Sequence, residues 1–420
     1  MTLLALVAYT GLVMAMGDSL DGKLHLSAGP LNVYPWDLLL MASVVLLLRE
    51  ALAPGGLRMP SRNRTVVLLA IGYCAYQIAV VLPVSVMFHD LEPVGVVRQL
   101  SPRLSLILIP FVYLVALKYV SLQRLTIALN IAAALLALDA VYRYGTGAGV
   151  SHASDVGVVR LRELWGGASL LFGFLILCCL FLLRASLLRY AGALLGLVGL
   201  TLVNHRSGYL ALFVVIIPLF VHFRRASLRL VVVGLVIISA AAMLVAASPT
   251  IRASTYYSLD TMLNPNADIN TRDRADRSKL AWDYFVAHPL GDYTWSRQLY
   301  LVNLGPDSWE PHDSVAQLLG QQGIVGFAFF LAVIAATARI GWRNRNVDCV
   351  SAVMLAYFAF YLVFNLFNTN LINEWNILLL VVPVGAILSR NAALQGVTER
   401  QPLGADAQTA KNEVSSVPVW

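Results

Sequence analysis

The residues best suited to chemistry in this 420-residue chain stand at Pro311-His312-Asp313-Ser314. They close a long polar segment and directly precede a very apolar run; Glu310 to Gly326 reads Glu-Pro-His-Asp-Ser-Val-Ala-Gln-Leu-Leu-Gly-Gln-Gln-Gly-Ile-Val-Gly. An unperturbed imidazole titrates near ~6.5, so His312 suits a general base that takes a hydroxyl proton at neutral pH. Arginines recur at comparable junctions. Arg272, Arg274 and Arg277 lie in the same polar segment, Arg206 follows His205 in a tight turn, Arg160 and Arg162 precede another apolar run, and Arg98 and Arg103 flank the start of a fourth. Guanidinium forks match diphosphate oxygens bidentately. A base together with several arginines fits displacement of a lipid diphosphate by a sugar hydroxyl. Arginines can hold the departing charge, and no aspartate-rich metal motif accompanies them, so neither a metal nor a cofactor is expected.

Plainer roles compete for each residue. Arg206 could be an anchor that snorkels to lipid head groups, although Asn204-His205-Arg206-Ser207-Gly208 leaves almost no loop for it to escape through. Arg272, Arg274 and Arg277 could pair locally with Asp273 and Asp276. Asp139 and Arg143, four apart, are expected to form a structural ion pair on one helix face. His222, beside Arg224 and Arg225, reads as an ordinary loop residue. His288 before Pro289 reads as a helix stop, and His312 itself could be a hydrogen-bonded residue at a helix start.

The elements that must hold these residues follow from composition. The chain is 59% hydrophobic and 13% charged, against roughly 25% charged in a soluble domain. That is the composition of an all-α polytopic membrane protein. Apolar runs long enough to cross a bilayer fall near 2–17, 31–49, 65–87, 101–118, 123–142, 165–184, 187–204, 208–223, 228–247, 315–339, 350–367 and 371–388, about twelve in all. Backbone exposed to lipid must satisfy its own hydrogen bonds, so the runs are read as helices. The run Leu3–Met16 has no Lys or Arg before it and is read as a first short span, not a cleaved signal. Cys74, Cys178, Cys179 and Cys349 fall in or at the edge of spans, as small apolar residues do.

Alternate joints are rich in arginine: Arg49, Arg58, Arg62 and Arg64; Lys118 and Arg124; Arg184 and Arg189; Arg224, Arg225 and Arg229; Arg339, Arg343 and Arg345; then Arg390. The positive-inside rule puts these joints and both termini in the cytoplasm and the opposite joints outside. It also accounts for the net charge of +7 without nucleic acid; the partners expected from charge are membrane lipids. Ser248–His312 becomes a long outer loop between the ninth and tenth spans. Its Trp282, Tyr284, Phe285, Trp295, Tyr300 and Trp309 argue for order, and Arg274–Ala287 has the spacing of a short helix lying on the membrane. The domain division is a transmembrane helical domain over 1–390, the periplasmic loop 248–312 and a disordered cytoplasmic tail over 391–420.

Pro311-His312-Asp313-Ser314, with Gln317-Leu318-Leu319 and Gly323-Ile324-Val325-Gly326, resembles the histidine signature of the O-antigen ligase and O-antigen polymerase superfamily. Arg206-Ser207-Gly208 resembles its Ser-Arg-Gly-type turn. Arg277, Trp282 and His288-Pro289-Leu290-Gly291 resemble its Arg…Trp…Pro-Leu-x-Gly segment, and Arg160-Leu161-Arg162 another arginine element. The likeness covers about 155–385. Asp313 stands where the family often has Asn, and Asp292-Tyr293-Thr294 where further glycines are common. The resemblance implies a metal-independent, inverting glycosyltransferase of the GT-C type in the bacterial inner membrane. Its donor would be an undecaprenyl-diphosphate-linked glycan on the periplasmic side. His312 would activate the acceptor hydroxyl. Arg206 and Arg277, or Arg274 in its stead, would hold the diphosphate, with Arg272, Arg160, Arg162, Arg98 and Arg103 as further substrate-binding residues.

Two activities share that chemistry. A ligase moves the glycan to lipid A–core; a polymerase moves it to the next lipid-linked unit. The ligase reading is slightly favoured. A transporter or flippase is the reading from another class. Transporters of this size are often two related halves with a site near the midplane; the late external loop and the few charges deep in the spans weigh against it. A scaffold for polysaccharide export is a further alternative.

Overall fold

The computed structural model describes residues 26–28, 31–33, 35–53, 59–89, 100, 103–118, 122–146, 150–153, 159–162, 167–183, 186–203, 205–223, 252–253, 256, 269–292, 314–366 and 377–400. The architecture is helical, with two small antiparallel hairpins. Strands β1 (Leu26–Ala28) and β2 (Leu31–Val33) pair with Leu26 opposite Val33. Strands β3 (Val150–Ala153) and β4 (Val159–Arg162) pair with His152 opposite Arg160. Helices follow at α1 (Pro35–Leu52), α2 (Ser61–Tyr76), α3 (Leu82–His89), α4 (Leu108–Lys118), α5 (Leu122–Thr146) and α6 (Ala168–Leu182). The set continues with α7 (Ser186–Val203), α8 (Arg206–His222), α9 (Ile269–Ala287), α10 (Ser314–Asn344), α11 (Cys349–Leu366) and α12 (Ile377–Arg400). A π-helical turn, Gln77–Val81, joins α2 to α3, and a 3-10 turn, Leu104–Ile107, leads into α4.

Among the described residues, five helical stretches are long and apolar enough to cross a membrane: Ser61–Met87, Gln123–Thr146, Ser314–Asn344, Cys349–Leu366 and Ile377–Gly396. Shorter apolar helices lie at Leu104–Leu114, Ala168–Leu182, Leu187–Val203 and Ser207–His222. This is a multi-pass membrane protein. The expected spans at 2–17 and 228–247 lie outside the described residues, and the number of crossings stays an expectation. Several boundaries differ from expectation. Within the expected span 31–49, the helix starts at Pro35, because Leu31–Val33 is drawn into the β1–β2 pair. The last helix runs on to Arg400, so residues 391–400 are helix and not the start of a disordered tail. In the long loop expected outside, α9 begins at Ile269, five residues before the expected start at Arg274.

One end of the bundle is tied by polar groups. Asn63 at the start of α2 donates to the Leu388 carbonyl (2.8 Å) and accepts from Asn391 (2.7 Å), and Asn344 donates to Asn391 (3.2 Å). Asp348 accepts from Arg390 (2.6 Å) and caps α11 through the Ser351 amide (2.8 Å). His222 Nε2 lies 3.0 Å from the Arg345 carbonyl, and Phe181 packs on Phe220 and Phe223. Each bond lets a side chain that lipid would penalise find a partner inside the protein. Arg62, Arg64, Arg343, Arg345 and Arg390 gather at this end, as the alternating joints require. The Asp139–Arg143 pair forms at 2.8 Å, as its spacing predicts. The four cysteines are free thiols.

Between the ends, close approach replaces a hydrophobic driving force that lipid cannot supply. Phe174 meets Tyr357 edge-on at 4.8 Å, and a Cβ on Gly173 would come within 2.4 Å of the Phe360 ring. These contacts bind α6 to α11. At the far end, Gly208 of α8 packs against Ser169 at the start of α6, where a Cβ would meet Ser169 at 3.1 Å.

Candidate functional site

The far end gathers the starts of α6, α8 and α10 and the end of α11. His205 precedes α8 in extended conformation, with its ring 5.2 Å from Phe364 of α11 and its Nδ1 sharing a 2.7 Å hydrogen bond with the Ser207 hydroxyl. Arg206 is the first residue of α8, so it starts from this junction. The next residue of α11, Asn365, accepts a 2.5 Å hydrogen bond at its carbonyl from the buried Ser314 hydroxyl, the first residue of α10. Asn365 in turn donates to the Tyr361 carbonyl (2.9 Å). The α11 terminus therefore joins the α8 start to the α10 start. An asparagine buried at the end of an apolar run was a legible signal for this, because intramembrane polar residues mark tethers or sites.

Helix α9 lies alongside the first part of α10. Ala281 and Ala316 are buried together, flanked by Leu280 and Tyr284. Farther along, Leu290 and Gly291 meet Gly323. Both residue numbers rise together, so the two segments run parallel. Arg277 stands one turn before Ala281 on the same face, level with the start of α10, and is 6% exposed. Arg274 stands one turn farther from that contact, and Arg272 lies in the first turn of α9. Strand β4 carries Arg160 and Arg162 in the hairpin that precedes α6, and it contacts α7. Arg103 is buried at the entrance to the 3-10 turn before α4, next to Leu104, whose carbonyl accepts from the Cys74 thiol at 3.5 Å. His312 and Arg98 lie outside the described residues.

α10 is not one continuous helix. Gly323 adopts φ 66°, ψ 179°, a region open essentially to glycine alone. At 1.5 Å per residue, 31 residues would span about 46 Å, more than the ~30 Å hydrocarbon core. The stretch after Gly323 is about 31 Å long, enough to cross by itself. Gly323 therefore divides the stretch Ser314–Asn344, which contains the expected span 315–339, into two helical segments, Ser314–Gln322 and Ile324–Asn344.

The turn Pro289–Asp292 fills the break. In an unbroken helix the Ile324 amide would bond the Gly320 carbonyl. Here Ile324 donates to Pro289 (3.0 Å), and Gly320 accepts from the Asp292 amide (3.2 Å). Each buried group would cost about 1–3 kcal/mol if left unpaired. A Cβ on Gly291, at φ +89°, would lie 2.4 Å from the Gln322 carbonyl carbon, and one on Gly323 would lie 2.2 Å from that of Leu290. Tyr76, at the end of α2, donates to the Leu290 carbonyl at 2.8 Å. The Tyr284 hydroxyl donates to the buried Asp292 carboxylate, and the Tyr284 ring stacks on His288 with centroids 4.2 Å apart. His288 does end α9, its amide bonding the Tyr284 carbonyl at 2.9 Å. Sequence reasoning noticed both glycine segments but not that they dock on each other, and it missed Tyr76, Tyr284, Asp292 and Asn365.

A family model described as O-antigen ligase matches residues 191–331. The matched segment holds Arg206, Arg272, Arg274, Arg277, Gly291, His312 and Gly323; Arg98, Arg103, Arg160 and Arg162 precede it. No curated protein matches the chain.

Proposed function

We propose, from the match of residues 191–331 to a family model described as O-antigen ligase, that this protein is a membrane glycosyltransferase. It moves a glycan from undecaprenyl diphosphate to an acceptor hydroxyl on lipid A–core at the periplasmic face of the inner membrane. The acceptor oxygen attacks the anomeric carbon in line, and the bond from that carbon to the diphosphate oxygen breaks with inversion. The hydroxyl proton passes to His312. The bond's electron pair leaves with undecaprenyl diphosphate, whose charge Arg277 and Arg206 offset. Arg274, Arg272, Arg160, Arg162, Arg98 and Arg103 are proposed to hold more distant parts of the substrates. No metal or cofactor enters the scheme.

The observation that carries this reading is the parallel packing of α9 on α10. Arg277 stands one turn before Ala281, which meets Ala316 near the start of α10 at Ser314, and His312 precedes Ser314 by two residues in the sequence. Arg277 stands one turn nearer than Arg274 to the Ala281–Ala316 contact, which favours it as the diphosphate ligand, and its planar fork suits bidentate oxygens. The packing of His205, the neighbour of Arg206, on α11, and the bond of α11 to Ser314, support adding Arg206 to the same site.

The test is purified protein in liposomes with undecaprenyl-diphosphate-linked glycan, offered lipid A–core or further carrier-linked glycan. Glycan on lipid A–core is the expected product. Chain growth on the carrier alone would replace the ligase reading with a polymerase. No product with either acceptor would contradict glycosyl transfer.

A further inference from the structure

We propose that the Pro289–Asp292 turn, inserted in the Gly323 break of α10, is a positioning device for Arg277, with Tyr284 and Asp292 as its positioning residues. The inference rests on the functional reading above, because it assumes that Arg277 binds the donor diphosphate. Helix α9 is rich in Arg and Asp, and its buried apolar contact with α10 includes Ala281 on Ala316, with Leu280 and Tyr284 beside them. Apolar contact between small side chains is non-directional and sets the position of a helix along its axis only weakly. A bidentate guanidinium, in contrast, requires placement to within about 0.5 Å.

Asp292 supplies the link. Its amide donates to Gly320 of α10, while its carboxylate accepts from Tyr284 of α9. One residue is thus bonded to both helices. Pro289 adds the second bond to α10 through the Ile324 amide, and Tyr76 braces Leu290 from a third helix. The opened bond between residues 320 and 324 gives the turn a single register. Sliding by one residue would forfeit both hydrogen bonds and press a side chain into one of the glycine contacts. The register of the turn therefore sets the height of Arg277 against the start of α10.

Three variants test this: Tyr284→Phe, Asp292→Leu and Asp292→Asn. The first two remove the hydroxyl–carboxylate link, whereas Asn keeps an acceptor oxygen for Tyr284. Tyr284→Phe and Asp292→Leu are expected to raise the donor KM about tenfold and leave the acceptor KM within about twofold. Asp292→Asn is expected to stay within about threefold of wild type in both. Amide exchange at Ile324 should be faster in Tyr284→Phe and Asp292→Leu than in wild type. An unmoved donor KM, a parallel rise in both KM values, or Asn as impaired as Leu would overturn the positioning role. Unchanged exchange at Ile324 would overturn the link itself, whether or not the protein transfers glycan. A wild-type protein that transfers none would instead sink the functional reading, leaving the exchange arm to judge the link.

Discussion

Arg277 and Arg274 are a turn apart on α9, and only Arg277 is level with the start of α10. Arg277→Lys is expected to lower kcat/KM by about tenfold or more, since an ammonium cannot reproduce the fork, while Arg274→Lys stays closer to wild type. Equal losses would return the assignment to the ambiguity present in the sequence, where both arginines fit the loose spacing to Trp282. Arg206→Lys should be impaired for the same reason, and full activity at matched expression would make Arg206 a lipid anchor. For His312 as base, the rate should fall on acidification, because a protonated imidazole cannot take the acceptor proton. A pH profile flat between about 5 and 8 would remove His312 from that role. These residues were legible because arginine on the expected outer face runs against the topological charge bias. Tyr284 and Asp292 were not, because an aromatic and a carboxylate eight positions apart have no pattern until the turn at Pro289 brings them together.

At the scale of elements, apolar length was a reliable guide to where helices lie and a poor guide to where they end. Leu31–Val33 is as apolar as the helix after it, yet it pairs as a strand. Helix α12 continues beyond Asn391, because that side chain is satisfied by Asn63 and Asn344 inside the bundle. The break at Gly323 was invisible for a related reason: glycines are common in membrane helices, and its unusual φ has meaning only with Pro289 and Asp292 in place. Gly323→Ala forces an L-residue into a glycine-only region, at about 1–3 kcal/mol, and drives a Cβ to 2.2 Å from the Leu290 carbonyl carbon. The melting temperature of the solubilised variant should therefore fall, with activity lost alongside it. A variant that melts with wild type would mean that α10 is continuous. Asn63→Leu should also destabilise, by about 1–3 kcal/mol, because it leaves Asn391 without its acceptor.

At the scale of the whole molecule, one end carries the arginine-rich joints and the asparagine tether, and the other gathers the starts of α6, α8 and α10. By the positive-inside rule the first end is expected in the cytoplasm. In a background without the four native cysteines, Asn346→Cys is expected to react with an impermeant maleimide only from the cytoplasmic side. Asp283→Cys should react only from the periplasmic side; both positions are exposed. The reverse pattern would invert the topology and put the proposed site in the wrong compartment for the donor. The central claim, that this bundle breaks a glycan–diphosphate bond using His312, is tested most directly by undecaprenyl diphosphate release in proteoliposomes supplied with donor and acceptor. Wild-type protein is expected to release one carrier diphosphate for each glycan transferred, and folded, membrane-inserted His312→Ala to release none above background. Equal release by the two proteins, or glycan transfer without release, would contradict the account.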